Sequence, residues 1–285
     1  MGRKRTEKRE IPVIVVGDTH IHSKLGLCHP DGCGNDDGGP YMPSNAQRAM
    51  WVRWEEFWGE WVPMVTKGGP FAVVHIGDAT DGVHHGTTTT ISNNLQDQAN
   101  HAYRVLRPIV EACEGRYYHI RGTEAHVGQS AQEEERLAQR LGAIPNSEGQ
   151  HARWELWLQV GNDLCHFMHH IGTTGSSAYE LTAVYKEFVE MCVEAGRWGR
   201  ELPQAVIRGH RHRYAESRVA THKGYGVCVV APGWQLKTPF TFKIAGARVS
   251  QPQIGGLFIG YGDEDGLYTR SRVWDVGPPK IETLS

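Results

Sequence analysis

Long apolar runs are missing from this sequence. No stretch approaches the ~18 consecutive apolar residues of a membrane-spanning helix, so no membrane partner is expected. A surplus of positive charge is missing too. The 285 residues carry 30 Lys+Arg against 32 Asp+Glu, a formal net charge of -2, so bulk electrostatics does not draw the chain to a polyanion. The basic start MGRKRTEKRE is not followed by an apolar signal-peptide core, which makes a reducing cytoplasm the expected compartment. Cysteine is scarce, at six residues. Cys113, Cys165, Cys192 and Cys228 sit among apolar neighbours and are expected as buried small hydrophobes. Cys28 and Cys33, in LCHPDGCG, resemble half of a zinc clip. No second Cys/His pair follows at a fitting distance, so they are expected to fill a loop. Histidine, by contrast, is abundant: sixteen residues point to nitrogen and oxygen ligation or acid–base chemistry rather than to a disulfide scaffold.

The order of elements follows from period and punctuation. IPVIVV (11–16) and FAVVHI (71–76) are continuous apolar runs that each end at Gly-Asp, as strands covered on both faces do. YYHIR (117–121) and QAVIR (204–208) end at glycine in the same way, and WELWLQV (154–160) and DLCHFM (163–168) predict a hairpin around Gly-Asn. Short strands are expected at 215–219 and 225–231. Helices are expected at 95–114, 130–142 and 178–196, and around Trp51, Trp54, Trp58 and Trp61, whose spacing predicts the buried face of an amphipathic helix. Residues 23–44, rich in Gly, Pro, Asp and Asn, are expected as a long loop. There is no internal repeat and no break in composition. The expected organisation is a mobile basic arm at 1–10, one domain at 11–235 with residues 22–70 as a loop and Trp-rich helix insertion, and a β-rich tail of short pieces at 236–285 packed on that domain.

The chemistry sits at the ends of the strand-like runs. Asp18 and His20 follow the first, Asp78 and Asp81 the second, Glu124 and His126 the third, His169 and His170 DLCHFM, and His210 and His212 QAVIR. Ligands of open α/β sheets bind beyond the carboxyl ends of strands, where such loops converge. Crowded carboxylates repel unless a cation neutralises them, and carboxylates with imidazoles but no thiolate suit Mn, Fe, Zn or Ni better than Ca. In D-x-H and H-x-H on an extended segment, residues two apart point the same way, so each pair can share one ion. The glycine before each motif is expected to permit a tight turn.

GDTH, GDATDG, RGTEAH, HH and GHRH, in that order over residues 11–235, resemble the calcineurin-like metallophosphoesterase superfamily, and the GTEAH form is similar to members encoded by tailed bacteriophages. The resemblance implies a four-layer α/β/β/α sandwich around two mixed sheets. It also implies a dinuclear site of divalent ions, manganese first, with iron, zinc or nickel as alternatives. Carried over, Asp18, His20, Asp78 and His212 would hold one ion, and His169 and His210 the other, with Asp78 as the bridge. Where the family has Gly-Asn-His, this chain has Gly122-Thr123-Glu124-Ala125-His126. Glu124 is read as the replacement ligand, with Thr123, Asn93 or Asn94 as the alternatives, and His126 as the general acid. Asp81, Asn94, His85 and His170 are placed as supporting or substrate contacts; His22 and His84 are candidates too, with solvent exposure an equal reading for His22, His84 and His85. His75, His101, His119, His151, His166 and His222 are expected as ordinary core or surface residues, and Arg121 and Arg208 as structural partners of carboxylates, with a place near phosphate as the alternative. The implied activity is hydrolysis of a phosphate ester by a metal-bridging hydroxide, as a phosphodiesterase or nuclease acting on DNA or a nucleotide. A phosphomonoesterase and a non-catalytic scaffold are the competing readings. Arg211, Arg213 and Tyr214 are the candidates for a nucleic-acid groove.

Overall fold

Strand β1 (Val13–Val16) is four apolar residues, all buried. It alternates between two different cores. Val13 and Val15 pack in one with Val74 and Ile259, while Ile14 and Val16 pack in the other with Val73 and Leu106. That two-residue period means both faces of the sheet are covered. This is a computed structural model, and it describes residues 10–84, 86–172, 177–244, 249–262, 266–277 and 281–283. Residues 1–9 of the expected basic arm, and His85, lie outside the described residues.

After β1 come the short pair β2 (Cys33–Gly34) and β3 (Pro40–Tyr41), then α1 (Asn45–Glu56), a π turn (Phe57–Trp61) and α2 (Val62–Thr66). Next are β4 (Ala72–His75), α3 (Leu95–Ala112), β5 (Tyr117–Ile120), α4 (Glu124–Val127), α5 (Gln132–Leu141) and β6 (Ala152–Arg153). The hairpin β7 (Glu155–Val160) and β8 (Asp163–Met168) leads to α6 (Glu180–Trp198), β9 (Ala205–Arg208), β10 (Ala215–Thr221), β11 (Gly224–Val230), β12 (Gln253–Gly262) and β13 (Gly266–Asp275).

Two sheets result. One has the order β13-β12-β1-β4-β5-β6, and the other β10-β11-β9-β8-β7. Both are mixed: β1, β4, β5 and β6 run parallel, as do β8, β9 and β11, with antiparallel strands at the flanks. Val15, Val74, Cys165, Phe167, Ala205, Ile207 and Val229 fill the space between the sheets. The outer face of the first sheet is covered by α1, α3 and α5 through Met50, Trp54, Leu106, Ile109 and Leu137. The outer face of the second is covered by α6, whose Val184 and Phe188 pack on Val206, Cys228 and Val230. The architecture is therefore a four-layer α/β/β/α sandwich, as the resemblance implied. Each fully buried Val, Ile or Phe in it contributes about 1.5–3 kcal/mol.

Two local features depart from expectation. The tail is not a set of short pieces: β12 and β13 are ten-residue strands, and β12 pairs antiparallel with β1, Val13 opposite Ile259. Its glycines disguise the strand. Gly256 lies under the Phe57 ring, where a Cβ would stand 2.6 Å from that ring's edge. The tryptophan stripe is also divided. Trp54 and Trp61 are buried core residues, whereas Trp51 and Trp58 are only partly buried and line a cavity of about 1020 Å³ between α1, α2 and α3. The long loop before α1 is tied down by Gln47, whose side-chain N–H donates to Ser23 O at 2.9 Å and to Gly26 O at 3.0 Å. No helix among the described residues is long and apolar enough to cross a membrane.

Candidate metal centre

The parallel strands β1, β4, β5, β8 and β9 end at one edge of the sandwich, and the five ligand-bearing motifs follow them. The backbone there is strained. Asp18, His20, Asp78, His210 and His212 have φ of 49°, 39°, 51°, 73° and 50°, the left-handed region that non-glycine residues avoid. Each such residue costs about 1–3 kcal/mol unless its surroundings hold it. Here they do. Asp18 N–H donates to Gly77 O at 2.8 Å, His20 N–H to Asp78 O at 3.1 Å, and His210 N–H to both Asp18 oxygens at 3.1 and 3.2 Å. Asp18 and His20 thus converge through left-handed turns and not, as expected, through an extended segment, whereas His210 and His212, on the same kind of turns, go to different donor groups.

The motif glycines also act differently from expectation. Gly77 does take a positive φ, of 98°. Gly122 has no such conformation; a Cβ on it would overlap Asp78 Oδ1. It is a close-approach residue that lets the β5 loop lie on the β4 loop.

Asp18, His20 and His212 form one donor group. His212 Nε2 is 3.1 Å from His20 Nε2 and 3.2 Å from Asp18 Oδ1. A tetrahedral ion with bonds of ~2.0–2.1 Å has ligand–ligand edges of about 3.3 Å, so these spacings suit a shared cation. His20 Nδ1 is buried without a hydrogen-bond partner. Burial, then the neighbouring His126 and His212, hold the His20 imidazole well below its usual pKa, so it presents lone pairs rather than charge.

His169, His170 and His210 form a second group, with one ring nitrogen each within 4.8 Å of the others. His169 is the buried member. Its Nδ1–H donates to Ile76 O at 2.7 Å, which directs Nε2 to Asp78 Oδ2 at 3.1 Å. Asp78 Oδ2 is also 3.9 Å from His20 Nε2, so one carboxylate oxygen faces both groups. Burial alone would lower the His169 pKa, but the Asp78 and Asp18 carboxylates outweigh it and push it up to about 10. The imidazoles and carboxylates gathered in these two groups are donor types that fit divalent cations.

The asparagine position resolves differently from the Glu124 reading. Glu124 is exposed at the start of α4 and lies in neither donor group. Its place as first helical residue turns its side chain out to solvent. Thr123, and not Glu124, lies among the donors. Its hydroxyl is 3.2 Å from Asp78 Oδ2, 3.1 Å from His169 Nε2 and 3.2 Å from His210 Nδ1. Asn94 is the N-cap of α3, its Oδ1 accepting from Gln96 N–H at 2.9 Å, and Asn93 is exposed; neither reaches the site.

Asp81 lies behind His20, 3.9 Å from its Nδ1, and accepts from Thr90 Oγ1 at 2.7 Å. His126 stands beside the first donor group with its ring 4.4 Å from that of His20, and its Nδ1–H donates to Asp81 O at 2.6 Å. That bond sets the tautomer and leaves Nε2 as the nitrogen for proton transfer. The His84 ring packs edge-on against that of His126, with ring centres 4.4 Å apart. His22 turns away from the site, its Nδ1 3.4 Å from His101 Nδ1. Arg208 bonds Glu187 at 2.8 Å and Arg121 bonds Ala152 O at 2.8 Å, so both serve the scaffold. Arg213 pairs with Glu180 at 3.1 Å, Tyr214 Oη donates to Glu216 at 2.9 Å, and Arg211 donates to Gly172 O, so all three nucleic-acid candidates are engaged within the protein.

Sequence reasoning gave no role at this site to Glu134. This buried carboxylate accepts from Gly122 N–H at 2.6 Å, from Ala79 N–H at 3.3 Å and from His119 Nε2 at 3.0 Å. It ties together the loops that carry Asp78 and Thr123. An acidic residue in the first turn of a helix is ordinary by pattern, so only the folded chain reveals it.

No family model matches the chain, and no curated protein matches it. Among solved structures it is similar to an archaeal phosphodiesterase, at 11 % identity and TM-score 0.41 over 93 % of this chain and 100 % of that one. It is also similar to Vps29 from Entamoeba histolytica complexed with zinc, at 10 % identity and TM-score 0.37 over 94 % and 100 %. A third is a hypothetical protein from Thermus thermophilus, at 15 % identity and TM-score 0.40 over 93 % and 99 %. At these levels the likeness says nothing about the site.

Proposed function

We propose that the protein is a metal-dependent phosphoesterase of the calcineurin-like metallophosphoesterase type, of the form whose RGTEAH motif resembles tailed-bacteriophage members, and that it acts as a phosphodiesterase. The observation that carries this is Asp78 Oδ2, which faces His20 on one side and His169 on the other. A single carboxylate between two imidazole-bearing groups is the arrangement a bridged pair of cations needs.

Asp18, His20 and His212 would hold one ion, His169 and His210 the other, and Asp78 both. Bound there, the ions supply activation of water and charge neutralisation at a phosphoryl group. The remaining work falls to the chain. The strained loops fix the donors before substrate arrives, so no reorganisation is needed at the moment of reaction. Thr123 orients Asp78 and offers a hydroxyl among Asp78, His169 and His210. His126, held through Nδ1, is poised to give a proton from Nε2 to a leaving alkoxide. His170, exposed beside His169 and His210, borders the entrance for substrate.

Nitrogen and oxygen donors suit manganese, and all six thiols are free, which suits a reducing cytoplasm. The engaged state of Arg211, Arg213 and Tyr214 favours a small diester over a long nucleic acid. The test is hydrolysis of bis-p-nitrophenyl phosphate, p-nitrophenyl phosphate and single-stranded DNA by manganese-loaded protein. Faster turnover of the diester is expected. Hydrolysis of none of them at saturating manganese overturns the proposal, and a faster monoester rate converts it to a phosphomonoesterase.

A further inference from the structure

Cys33 lacks a second Cys/His pair nearby in sequence, but the fold supplies one. His22 comes from the loop after β1 and His101 from the middle of α3. His22 Nδ1 is 3.4 Å from His101 Nδ1 and 3.7 Å from Cys33 Sγ, and the three donor atoms lie within 4.8 Å of one another. All three residues are buried. A tetrahedral zinc with Zn–N of ~2.0 Å and Zn–S of ~2.3 Å has N···N and N···S edges of about 3.3 and 3.5 Å. The two spacings from His22 Nδ1 are those edges to within a few tenths of an ångström.

We infer that His22, Cys33 and His101 form a further metal site, separate from the phosphoesterase centre, that takes zinc or a similar thiolate-binding divalent ion in a structural role. Two further observations fit. Burial keeps His101 at a pKa of about 3, so its ring is neutral and can offer a lone pair. Cys28, fully buried in the same loop, is near enough for the Cys33 charge to add to the burial that raises its thiol, which brings a second sulfur to this corner.

The proton balance is simple. The backbone N–H of His29 donates to His101 Nε2 at 3.3 Å, which puts the proton of that neutral ring on Nδ1, against His22. Coordination through Nδ1 moves it to Nε2, and the long bond from His29 is given up. The Cys33 thiol loses its proton to solvent, so one proton leaves per ion bound. The site would pin the 22–44 loop to α3. Since His22 lies two residues after His20, it would also anchor the loop that carries the first donor group.

The test is cobalt substitution of the full chain. A thiolate-ligated cobalt ion gives a sulfur-to-metal charge-transfer absorption in the near ultraviolet, which a nitrogen- and oxygen-ligated centre cannot give. Native protein loaded with cobalt is expected to show the band. Asp78→Asn should keep it, because that change lies in the other centre. Cys33→Ser should lose it, together with about one equivalent of bound metal. A cobalt-loaded native protein without the band overturns the inference even if Cys33→Ser fails to fold. A band that survives in folded Cys33→Ser also overturns it. The readout is independent of phosphoesterase activity, so failure of that reading would leave this one standing.

Discussion

Thr123 holds the Asp78 carboxylate from both sides: its backbone N–H donates to Oδ1 at 2.7 Å and its hydroxyl to Oδ2 at 3.2 Å. Thr123→Val keeps the shape and the backbone donor but removes the hydroxyl. One hydrogen bond to a charged group is worth about 1.5–3 kcal/mol, so kcat/KM on bis-p-nitrophenyl phosphate should fall by roughly 10- to 100-fold. Thermal unfolding should shift only slightly. Unchanged kinetics would show that the hydroxyl is a bystander.

Asp78→Asn removes the anion that faces both donor groups. Breaking a buried charged contact of this kind costs about 3–5 kcal/mol, which corresponds to roughly 10²- to 10³-fold or more in turnover. Chelation should silence the native protein, and added manganese should restore it. The variant should bind less metal and gain nothing from excess manganese, as measured by metal analysis and diesterase rate. Retained activity would overturn the site.

His126→Gln tests the proton donor. Removing a general acid typically costs 10²–10⁴-fold, but only where the leaving group needs a proton. An alkyl phosphodiester should slow by about that factor, and a p-nitrophenyl diester by less than about tenfold. Equal losses on the two substrates would remove His126 from the acid role.

Glu134→Ala leaves Gly122 N–H, Ala79 N–H and His119 without their acceptor inside the protein. A loss of about 3–5 kcal/mol in urea unfolding is expected, the range for breaking a buried charged network. A loss under about 1 kcal/mol would mean that water replaces the carboxylate.

Glu135, on the same helix, accepts from His151 N–H at 2.9 Å and Ala152 N–H at 2.7 Å and so secures β6. Partial burial raises its pKa, but those hydrogen bonds and the His151 ring outweigh it, and the carboxyl lies below its ordinary value. A depressed folded pKa gives stability that is present above the unfolded value, about 4.3, and lost as pH falls through the folded one. Glu135→Gln should therefore destabilise by about 1–2 kcal/mol at pH 7, with the gap from native narrowing below about pH 4. A gap that stays constant with pH would assign the effect to shape instead of charge.

Much of the fold was legible because its strands are short apolar runs with sharp ends. Val13–Val16 and Ala72–His75 read as buried strands from composition alone, and the Gly161-Asn162 turn marked the hairpin. The β12–β13 pair was not legible, because Gly255, Gly256 and Gly260 dilute the β signal where neighbouring groups approach closely. At Gly256 the cause lies in Phe57, far away along the chain, and at Gly255 in Arg272 of the paired strand.

The sequence by itself determined that Asp18, His20, Asp78, His169, His210 and His212 stand at strand ends, because a buried strand must finish in a polar loop and parallel strands bring those loops to one edge. Tertiary structure alone decided that Thr123 and not Glu124 meets Asp78, since the helix that starts at Glu124 carries that side chain outward. It also decided that His22 turns away from the Asp18, His20 and His212 group toward Cys33 and His101. That contact joins residues 79 apart in sequence, a distance over which no local pattern of residues can signal a meeting.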